Sequence, residues 1–381
     1  MKKKILLVCS QSPFPTFHGG AFDVFERLKG LSQLGNSIDL VITTKIKINE
    51  DDIREIKKYA ENIIICKREN KIIDLFSTNP LQYKSREGLS KIRISELFYD
   101  IVILESEYLF SIINNKTLKY NKLIVRIHNN ESQYFKQLAK STLNILKKLY
   151  YYSDAIKTKF LTENVLKKAD RLWYISNKEL DSSLYANKSI WMPPPINSEF
   201  KINNNTNNTL LFIGSLFMDN NTQGLDWFIN NVHPILINKY ENYKLIVVGG
   251  TGDLDKNQLI KKYSKYSKIE LYLNQKNLDA FYEKSTAFIN PMFHGSGVKL
   301  KSINAIVNGL PLISTEIGAE GIGLTENKMF LKANSTEEFI YAIDYLFNTD
   351  HNNKEMIIDS AQKYLKTNHY TNILKKELNA Y

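Results

Sequence analysis

Short runs of consecutive apolar residues, many of them β-branched, recur along the chain between longer stretches of mixed polarity. In the first half the runs lie at 4–10, 37–44, 61–67, 99–105, 122–128 and 171–176. Runs without polar alternation are typical of strands buried on both faces, whereas stretches such as 20–35 and 51–60 have the apolar spacing of helices. The alternation predicts a βαβ series, that is, an α/β fold with a parallel sheet covered by helices.

A second series of the same kind follows a break in the pattern. Pro193, Pro194 and Pro195 exclude a helix or a central strand, and the Asn-rich stretch after them is turn-like. The pattern then predicts strands at 209–215, 244–250, 268–273, 285–291 and 310–315, and helices at 223–239, 254–266, 276–284, 299–308, 335–348 and roughly 353–378. We therefore predict two doubly wound α/β domains in tandem, with ligands at the carboxyl ends of the strands and in the cleft between the domains.

Composition narrows the class of protein. The 381 residues are 43% hydrophobic and 24% charged, as in soluble globular proteins, with a net charge of +11. Cys9 and Cys66 lie in apolar runs, which predicts buried, reduced thiols. The first apolar run, residues 5–9, is too short for a signal peptide, and no stretch is long enough to span a membrane. We expect a cytoplasmic protein, either soluble or peripheral at the inner face of the plasma membrane.

Three segments carry candidate chemistry. Residues 290–315 place Gly295 and Gly297 in a loop after a strand, and Lys299 and Lys301 at the start of the next helix. Exposed amides at a helix start together with two ammonium groups favour an anion such as a diphosphate. The other two segments are Gly19-Gly20, which precede a helix, and His128-Asn129, which follow a strand at its ligand-facing end.

Two further segments have competing interpretations. Asp253 and Asp255 could hold a divalent metal ion, but they precede a predicted helix, and we favour helix capping. The stretch 136–171 carries eight lysines and Arg171, and its apolar residues recur at helical spacing within a predicted helix over 132–168. Contact with anionic lipid headgroups and a solvated helix face remain alternative interpretations. The charge is accompanied by no nucleic-acid-binding motif, so we expect no nucleic-acid partner.

The order and spacing of these segments resemble the GT-B glycosyltransferases, in particular the large retaining, nucleotide-sugar-dependent group called glycosyltransferase family four. The resemblance spans nearly the whole chain and includes Gly19-Gly20, His128-Asn129, 210–236, 245–253 and 293–322. It implies two Rossmann-like domains facing a cleft. Residues 1–195 would bind the acceptor, 196–360 would bind the nucleotide sugar, and a C-terminal helix, 361–381, would return to the N-terminal domain.

The resemblance also implies roles for individual residues. His128 would touch the transferred sugar, and Lys299 would act on the diphosphate. The donor-binding residues would be Gly19, Gly20, Asn129, Gly214, Gly250, His294, Gly295, Ser296, Gly297, Val298, Lys301 and Asn304. No metal or other cofactor is expected, since helix dipoles and basic side chains would replace the metal. The implied activity is retaining transfer of a hexosyl-type sugar to a glycan or lipid-linked acceptor in bacterial surface polysaccharide biosynthesis, as for capsule or lipopolysaccharide.

The sequence departs from the family pattern in two places. Ser296 and Asn304 stand where many members have two glutamates, and the loop 214–224 lacks the usual Arg and Lys. We predict that Lys299 and Lys301 replace that basic pair. Two alternatives stay open: a degenerate glycosyltransferase that acts as a binding partner, and a nucleotide-sugar epimerase on the same fold. For the epimerase the carboxylate candidates are Glu105, Glu107 and Glu131.

Overall fold

The structure is a computed structural model that describes residues 2–16, 19–96, 98–142, 144–196, 198–295, 297–348 and 351–380. The chain divides into two compact units. Unit 1 extends to Pro195 and includes the segment from Tyr370 onward, and unit 2 is Ile196–His369. The return to unit 1 thus begins at Tyr370, not at residue 361 as predicted. Ala361 and Leu365 lie in the core of unit 2, which keeps the preceding helix there.

Unit 1 is built on a seven-stranded sheet of order β3-β2-β1-β4-β5-β6-β7 in which all neighbouring strands are parallel. The strands are β1 (Lys4–Cys9), β2 (Ser37–Thr44), β3 (Asn62–Lys67), β4 (Tyr99–Leu104), β5 (Tyr120–Ile127), β6 (Arg171–Tyr174) and β7 (Ser189–Trp191). Apolar side chains from the two faces of this sheet enter two separate cores, as expected for strands covered by helices on both sides.

The helices of unit 1 lie between these strands. They are α1 (Gly19–Gln33), α2 (Glu50–Ile56), α3 (Leu81–Lys84), α4 (Glu131–Ser141), α5 (Ile145–Lys168), α6 (Asn177–Asp181) and, at the end of the chain, α14 (Tyr370–Asn379), with 3-10 helices at Ile72–Phe76, Glu87–Lys91, Glu107–Asn114 and Ala186–Lys188. The Tyr370 hydroxyl donates to Glu26 O at 2.9 Å, and the Trp173 indole N–H donates to Glu377 at 3.3 Å. These contacts attach α14 to α1 and β6.

Unit 2 repeats the plan with a six-stranded parallel sheet of order β10-β9-β8-β11-β12-β13. Its strands are β8 (Thr209–Ile213), β9 (Lys244–Gly249), β10 (Ile269–Leu273), β11 (Ala287–Asn290), β12 (Leu312–Ser314) and β13 (Leu331–Lys332). Its helices are α7 (Asp219–Asn231), α8 (His233–Lys239), α9 (Lys256–Tyr263), α10 (Asp279–Glu283), α11 (Leu300–Val307), α12 (Thr336–Asn348) and α13 (His351–Thr367), with a 3-10 turn at Ile317–Ala319. The predicted α/β class with two doubly wound, Rossmann-like sheets is confirmed.

Three predicted helices are wrong in extent, because each is two helices in the structure. The stretch 132–168 divides into α4 and α5, and Asn144 caps the second by accepting a hydrogen bond from Lys147 N. The stretch 223–239 divides at Val232, directly before His233-Pro234, because Pro is favoured at the first helical positions. The stretch 353–378 divides between α13 and α14, where the chain passes from unit 2 to unit 1.

In the described part of the chain, no helix is both long enough and apolar enough to cross a membrane. Cys9 and Cys66 are buried and free, as predicted.

Candidate functional site

In unit 1 the candidate residues gather at the carboxyl edge of the sheet. Glu105 directly follows β4, His128 directly follows β5, and the loop after β1 leads into α1 at Gly19-Gly20. Since β1, β4 and β5 are adjacent and parallel, their following residues lie at one edge. Gly19 and Gly20 are exposed as the first residues of α1.

A buried ionic network lies beneath this edge. Arg27 forms ion pairs with Asp23 at 2.8 Å and with Glu105 at 2.6 Å. Arg126, inside β5, binds both Asp23 oxygens at 3.0 Å and donates to Met192 O at 2.9 Å. All four charged side chains are at most 2% exposed. Two guanidinium groups thus balance two carboxylates in the interior of the fold.

The pKa values reflect the same balance. Burial alone would raise the pKa of Asp23, but Arg126 and Arg27 outweigh it and hold that pKa below its ordinary value. Burial likewise opposes ionisation of Glu105, and Arg27 with His128 keeps its pKa low. Burial and the neighbouring Arg27 lower the pKa of Arg126 to about 10, so all four groups are charged at neutral pH.

Asp23, Glu105 and His128 present potential ligand atoms within 4.8 Å of one another, a set that could in principle hold a metal ion. However, Arg27 and Arg126 already lie against both carboxylates. Their positive charges would repel a cation at this point. The donor set therefore fits an internal salt-bridge network better than a metal centre.

The network reaches the surface through His128, whose side chain is 27% exposed. Its Nε2 lies 3.1 Å from the Glu105 carbonyl oxygen and 3.6 Å from the Glu105 carboxylate. An acceptor carbonyl at that distance favours the tautomer with the proton on Nε2, which leaves Nδ1 as the acceptor nitrogen. Within the described residues Nδ1 has no hydrogen-bond partner. The main chain thus orients the imidazole.

A second carboxylate group lies beside His128. Glu107 is 2% exposed, and burial followed by repulsion from Glu131 raises its pKa to about 8. Burial also raises the pKa of Glu131, although Asn129 and Tyr108 hydrogen-bond its carboxylate. Tyr108 donates to Glu131 at 3.2 Å. Glu107 is therefore largely protonated at neutral pH. Asn129 instead hydrogen-bonds the neighbouring Glu131 carboxylate.

In unit 2 the candidate loop follows β11 and enters α11. Gly295 and Gly297 have backbone φ values of +135° and +75°, which residues with a Cβ rarely adopt. Lys299 is the N-cap residue of α11, is 7% exposed, and donates from Nζ to Gly297 O at 2.6 Å. Glycine at both positions thus permits a tight loop that brings a buried ammonium group to the N-terminus of a helix.

Lys301 brings a second ammonium group to the first turn of α7, the helix that follows β8. Its Nζ donates to Asn221 Oδ1 at 2.8 Å and lies 4.9 Å from the centre of the Phe212 ring. Both partners are neutral. Burial, followed by repulsion from Lys299, lowers the pKa of Lys301 to about 7. An ammonium group with this environment is stabilised by an incoming anion.

Helix α7 packs closely against the segments that follow β8 and β11. A Cβ at Gly224 would lie 2.2 Å from Pro291 O, so only glycine lets α7 approach the end of β11. The Asn220 side chain lies beside Gly295, since its Nδ2 would be 3.1 Å from a Cβ there. Gly214 packs closely on Asn221, whereas a Cβ at Gly250 would meet nothing within 4 Å. Gly250 thus borders open space at this edge.

The other residues of unit 2 predicted to bind the donor or a metal differ in their exposure and contacts. His294 is exposed, Val298 is half-buried beside the core, and Asn304 lies on the exposed face of α11. Ser296 lies outside the described residues. Asp255 caps α9 by accepting a hydrogen bond from Asn257 N, which confirms the capping interpretation for that residue.

Sequence reasoning missed several residues of the two edges. They are Asp23, Arg27, Arg126, Asn220 and Asn221. A charged residue inside the apolar run KLIVRI was the available signal for Arg126, because a lone charge in a buried strand requires a partner. The partner itself is about a hundred positions away and could not be read from the sequence.

Comparison with known proteins finds a family model and a relative that match this chain. The model of the family described as "Glycosyl transferases group 1" matches residues 207–349, which is most of unit 2. A protein of Klebsiella pneumoniae described as an uncharacterized 44.6 kDa protein in the cps region is 35% identical over 351 residues, covering 89% of each chain.

Solved structures share the fold at low sequence identity. TarM, from S. aureus, superposes with a TM-score of 0.70 at 13% identity and covers 100% of this chain and 98% of its own. Anabaena Alr3699/HepE, in a complex with UDP-glucose, has a TM-score of 0.65 at 11% identity, with 100% of both chains covered. These likenesses extend over both units.

Proposed function

Because the chain belongs to the glycosyl transferases group 1 family, we propose that it transfers a sugar from a nucleoside diphosphate sugar to a hydroxyl group of a glycan or lipid-linked acceptor. The transfer retains the anomeric configuration, as in family four, and uses a hexosyl-type donor. Its setting is the synthesis of a bacterial surface polysaccharide such as capsule. The relative in the cps region of Klebsiella pneumoniae supports that setting.

The observation that carries the proposal is the environment of Lys301. Its ammonium group is desolvated, lies near Lys299, and is held only by an amide oxygen and an aromatic ring in the described structure. A ligand with two or more negative charges would lower the free energy of these ammonium groups by electrostatic attraction. Lys299 and Lys301 would bind the donor diphosphate, with Gly295, Gly297 and Gly250 leaving room for it and Gly214 supporting Asn221.

The chemical step breaks the bond between the anomeric carbon and the diphosphate oxygen and forms a bond to the acceptor oxygen. The leaving diphosphate gains the electron pair, and the two lysines and the α11 amides stabilise it. The acceptor proton passes to the departing phosphate oxygen. His128, oriented by Glu105, would accept a hydrogen bond from a hydroxyl of the transferred sugar through Nδ1.

The state of the carboxylates in unit 1 agrees with this mechanism. Glu105 is ion-paired to Arg27, and Glu107 is protonated at neutral pH. Neither is available as a nucleophile or as a strong base. The same pairing removes Glu105 from the acids that an epimerase would need.

We further propose that no metal ion is required, because ammonium groups and helix amides supply positive charge at the diphosphate. The donor base is tested first with UDP and UDP-glucose, since the HepE complex contains UDP-glucose and a TarM complex contains UDP.

The test is a thermal-shift panel of UDP, GDP, ADP and their sugars in the presence of EDTA. A ligand at about 100 times its dissociation constant stabilises the folded state by about 2.7 kcal/mol. We expect one nucleotide to raise the melting temperature of the wild type. The same nucleotide should leave the melting temperature of Lys301→Met unchanged. Lys256→Met, on the exposed surface of α9, is the matched control.

Turnover is then measured as transfer of a radiolabelled sugar to lipid and glycan extracts. We expect Lys299→Ala to lower the rate by at least about tenfold. Nucleotide binding without transfer to any extract would favour a degenerate, partner-binding protein. The absence of any nucleotide-induced shift would contradict the proposed function.

A further inference from the structure

Helix α5 has two apolar faces, and only one of them is buried. Ala155, Thr158, Leu161 and Val165 face the core of unit 1. The opposite face carries a stripe of exposed side chains: Ile145 (73% exposed), Leu149 (63%), Tyr152 (38%), Ile156 (57%) and Phe160 (65%). Intervals of three and four residues place these five side chains on one side of the helix. Leu146, 78% exposed, borders the stripe.

A second exposed apolar segment is joined to this helix. The 3-10 helix Ile72–Phe76 buries none of its residues, and Ile72, Ile73 and Phe76 are each more than 70% exposed. Lys157, on α5, donates from Nζ to the Leu75 carbonyl oxygen at 2.9 Å. The stripe, Leu146 and the three residues of this segment form what we call the α5 surface. Single exposed apolar side chains are ordinary, but a grouping of this size marks an interaction site.

Charge around the α5 surface selects the class of partner. Lys140, Lys147, Lys148, Lys157 and Lys159 lie on α4 and α5, whereas the acidic residues of α5 are the buried Asp154 and Glu163, which pairs with Lys159 at 3.9 Å. A second copy of the chain would set these lysines against their own equivalents, which is unfavourable. Apolar side chains flanked by lysines instead complement a bilayer surface with anionic headgroups.

We propose that the α5 surface docks unit 1 on an anionic lipid bilayer. The aliphatic and aromatic side chains enter the boundary between headgroups and acyl chains, and the lysines contact lipid phosphates. Helix α4 begins three residues after His128, and its Ser132 donates to Ala155 O of α5 at 2.8 Å. The docked helices are therefore continuous with the edge of the sheet that carries His128, which would suit an acceptor embedded in the same membrane.

The test is flotation of the full chain with vesicles of phosphatidylcholine alone and with 30% phosphatidylglycerol added, at low and high salt. We expect binding only to the anionic vesicles, weakened by salt. The combined substitution Leu149→Ser, Ile156→Ser and Phe160→Ser should lower the partition coefficient at least about tenfold, because apolar burial is lost. Lys148→Gln with Lys159→Gln should lower it by about thirtyfold, since each lysine near such a surface contributes about 1 kcal/mol.

The matched control is Lys256→Gln with Lys261→Gln, which removes two exposed lysines from α9 of unit 2 and should leave flotation unchanged. The melting temperature of each variant and its nucleotide-induced shift report on the fold and on the proposed function separately from lipid binding. Failure of the wild type to float, or an equal loss in the α9 control, would overturn the proposal. A dimer in solution that the triple substitution converts to monomer would also overturn it, in favour of a second copy as the partner.

Discussion

The Nζ of Lys301 donates a 2.8 Å hydrogen bond to Oδ1 of Asn221, and this contact joins the first turn of α7, the helix that follows β8, to the first turn of α11. The segment from Gly214 to Gly224, which comprises the loop after β8 and the start of α7, has no basic residue of its own. A lysine from another element therefore brings positive charge to that segment. The contact is the structural basis for the expected replacement of the missing basic pair, and it makes a specific prediction about pH.

Nucleotide affinity should fall as the pH rises through 7. The pKa of Lys301 is about 7 without ligand, and a bound diphosphate favours the ammonium form, so binding above pH 7 must include proton uptake. We expect the dissociation constant for the best nucleotide to rise about tenfold between pH 6.5 and 8.5, measured by titration calorimetry. Lys301→Arg, charged throughout, should show no such rise. An equal rise in this variant would assign the pH dependence to another group.

His128 should tolerate asparagine better than glutamine. Nε2 faces the Glu105 carbonyl oxygen, so Nδ1 is the nitrogen left for a substrate, and the asparagine amide places a polar atom near Nδ1. We expect turnover to fall about tenfold in His128→Asn and about a hundredfold in His128→Gln and His128→Ala, with smaller changes in KM. Steady-state kinetics on the three variants measures this order. Greater activity in the glutamine variant would assign the substrate contact to Nε2.

Glu107 should make the protein less stable as the pH rises. Its folded pKa of about 8 exceeds the ordinary value of 4.5, so the folded state binds more protons between these values, and the free energy of unfolding falls as pH increases through that range. Glu131 and Glu179 face it with like charge, and Thr162 donates to it at 3.5 Å.

Glu107→Gln removes this titration and should raise the melting temperature relative to the wild type by at least about 2 °C more at pH 9 than at pH 5. Thermal unfolding followed by circular dichroism provides the comparison. The exposed Glu163→Gln on α5 is the control and should follow the wild-type profile. Parallel profiles for wild type and Glu107→Gln would show that Glu107 ionises normally.

Alanine should affect two glycines of unit 2 differently, with a loss of stability at Gly224 and a loss of nucleotide affinity at Gly250. In Gly224→Ala the new methyl group would meet Pro291 O, a backbone atom, so we expect a loss of about 1–3 kcal/mol although alanine favours helices. Gly250→Ala meets nothing and should change stability by less than about 0.5 kcal/mol while lowering nucleotide affinity. Urea denaturation and nucleotide titration separate the two effects. Unchanged stability in Gly224→Ala would mean that α7 can move away from β11.

Much of the fold could be predicted because local pattern and burial agree in this chain. Strands such as β1 and β9 are continuous apolar runs, and they are covered by helices in both units. The loop containing Gly295, Gly297 and Lys299 could also be located, because these residues follow an apolar run that predicts a strand and precede a pattern that predicts a helix. Short elements such as β13 were not, because two residues carry no periodicity.

The sequence by itself determined the two α/β series, the break after Pro195 and the residue types at the strand ends, because these depend on neighbours a few positions away. Only the tertiary structure decided that Arg126 of β5 contacts Asp23 of α1, and that Lys301 of α11 contacts Asn221 of α7. It also decided which apolar stripe of α5 faces the core. Helical spacing alone shows that a face exists, whereas its burial depends on what packs against it, and ion pairs between distant residues form only when the sheet brings them together.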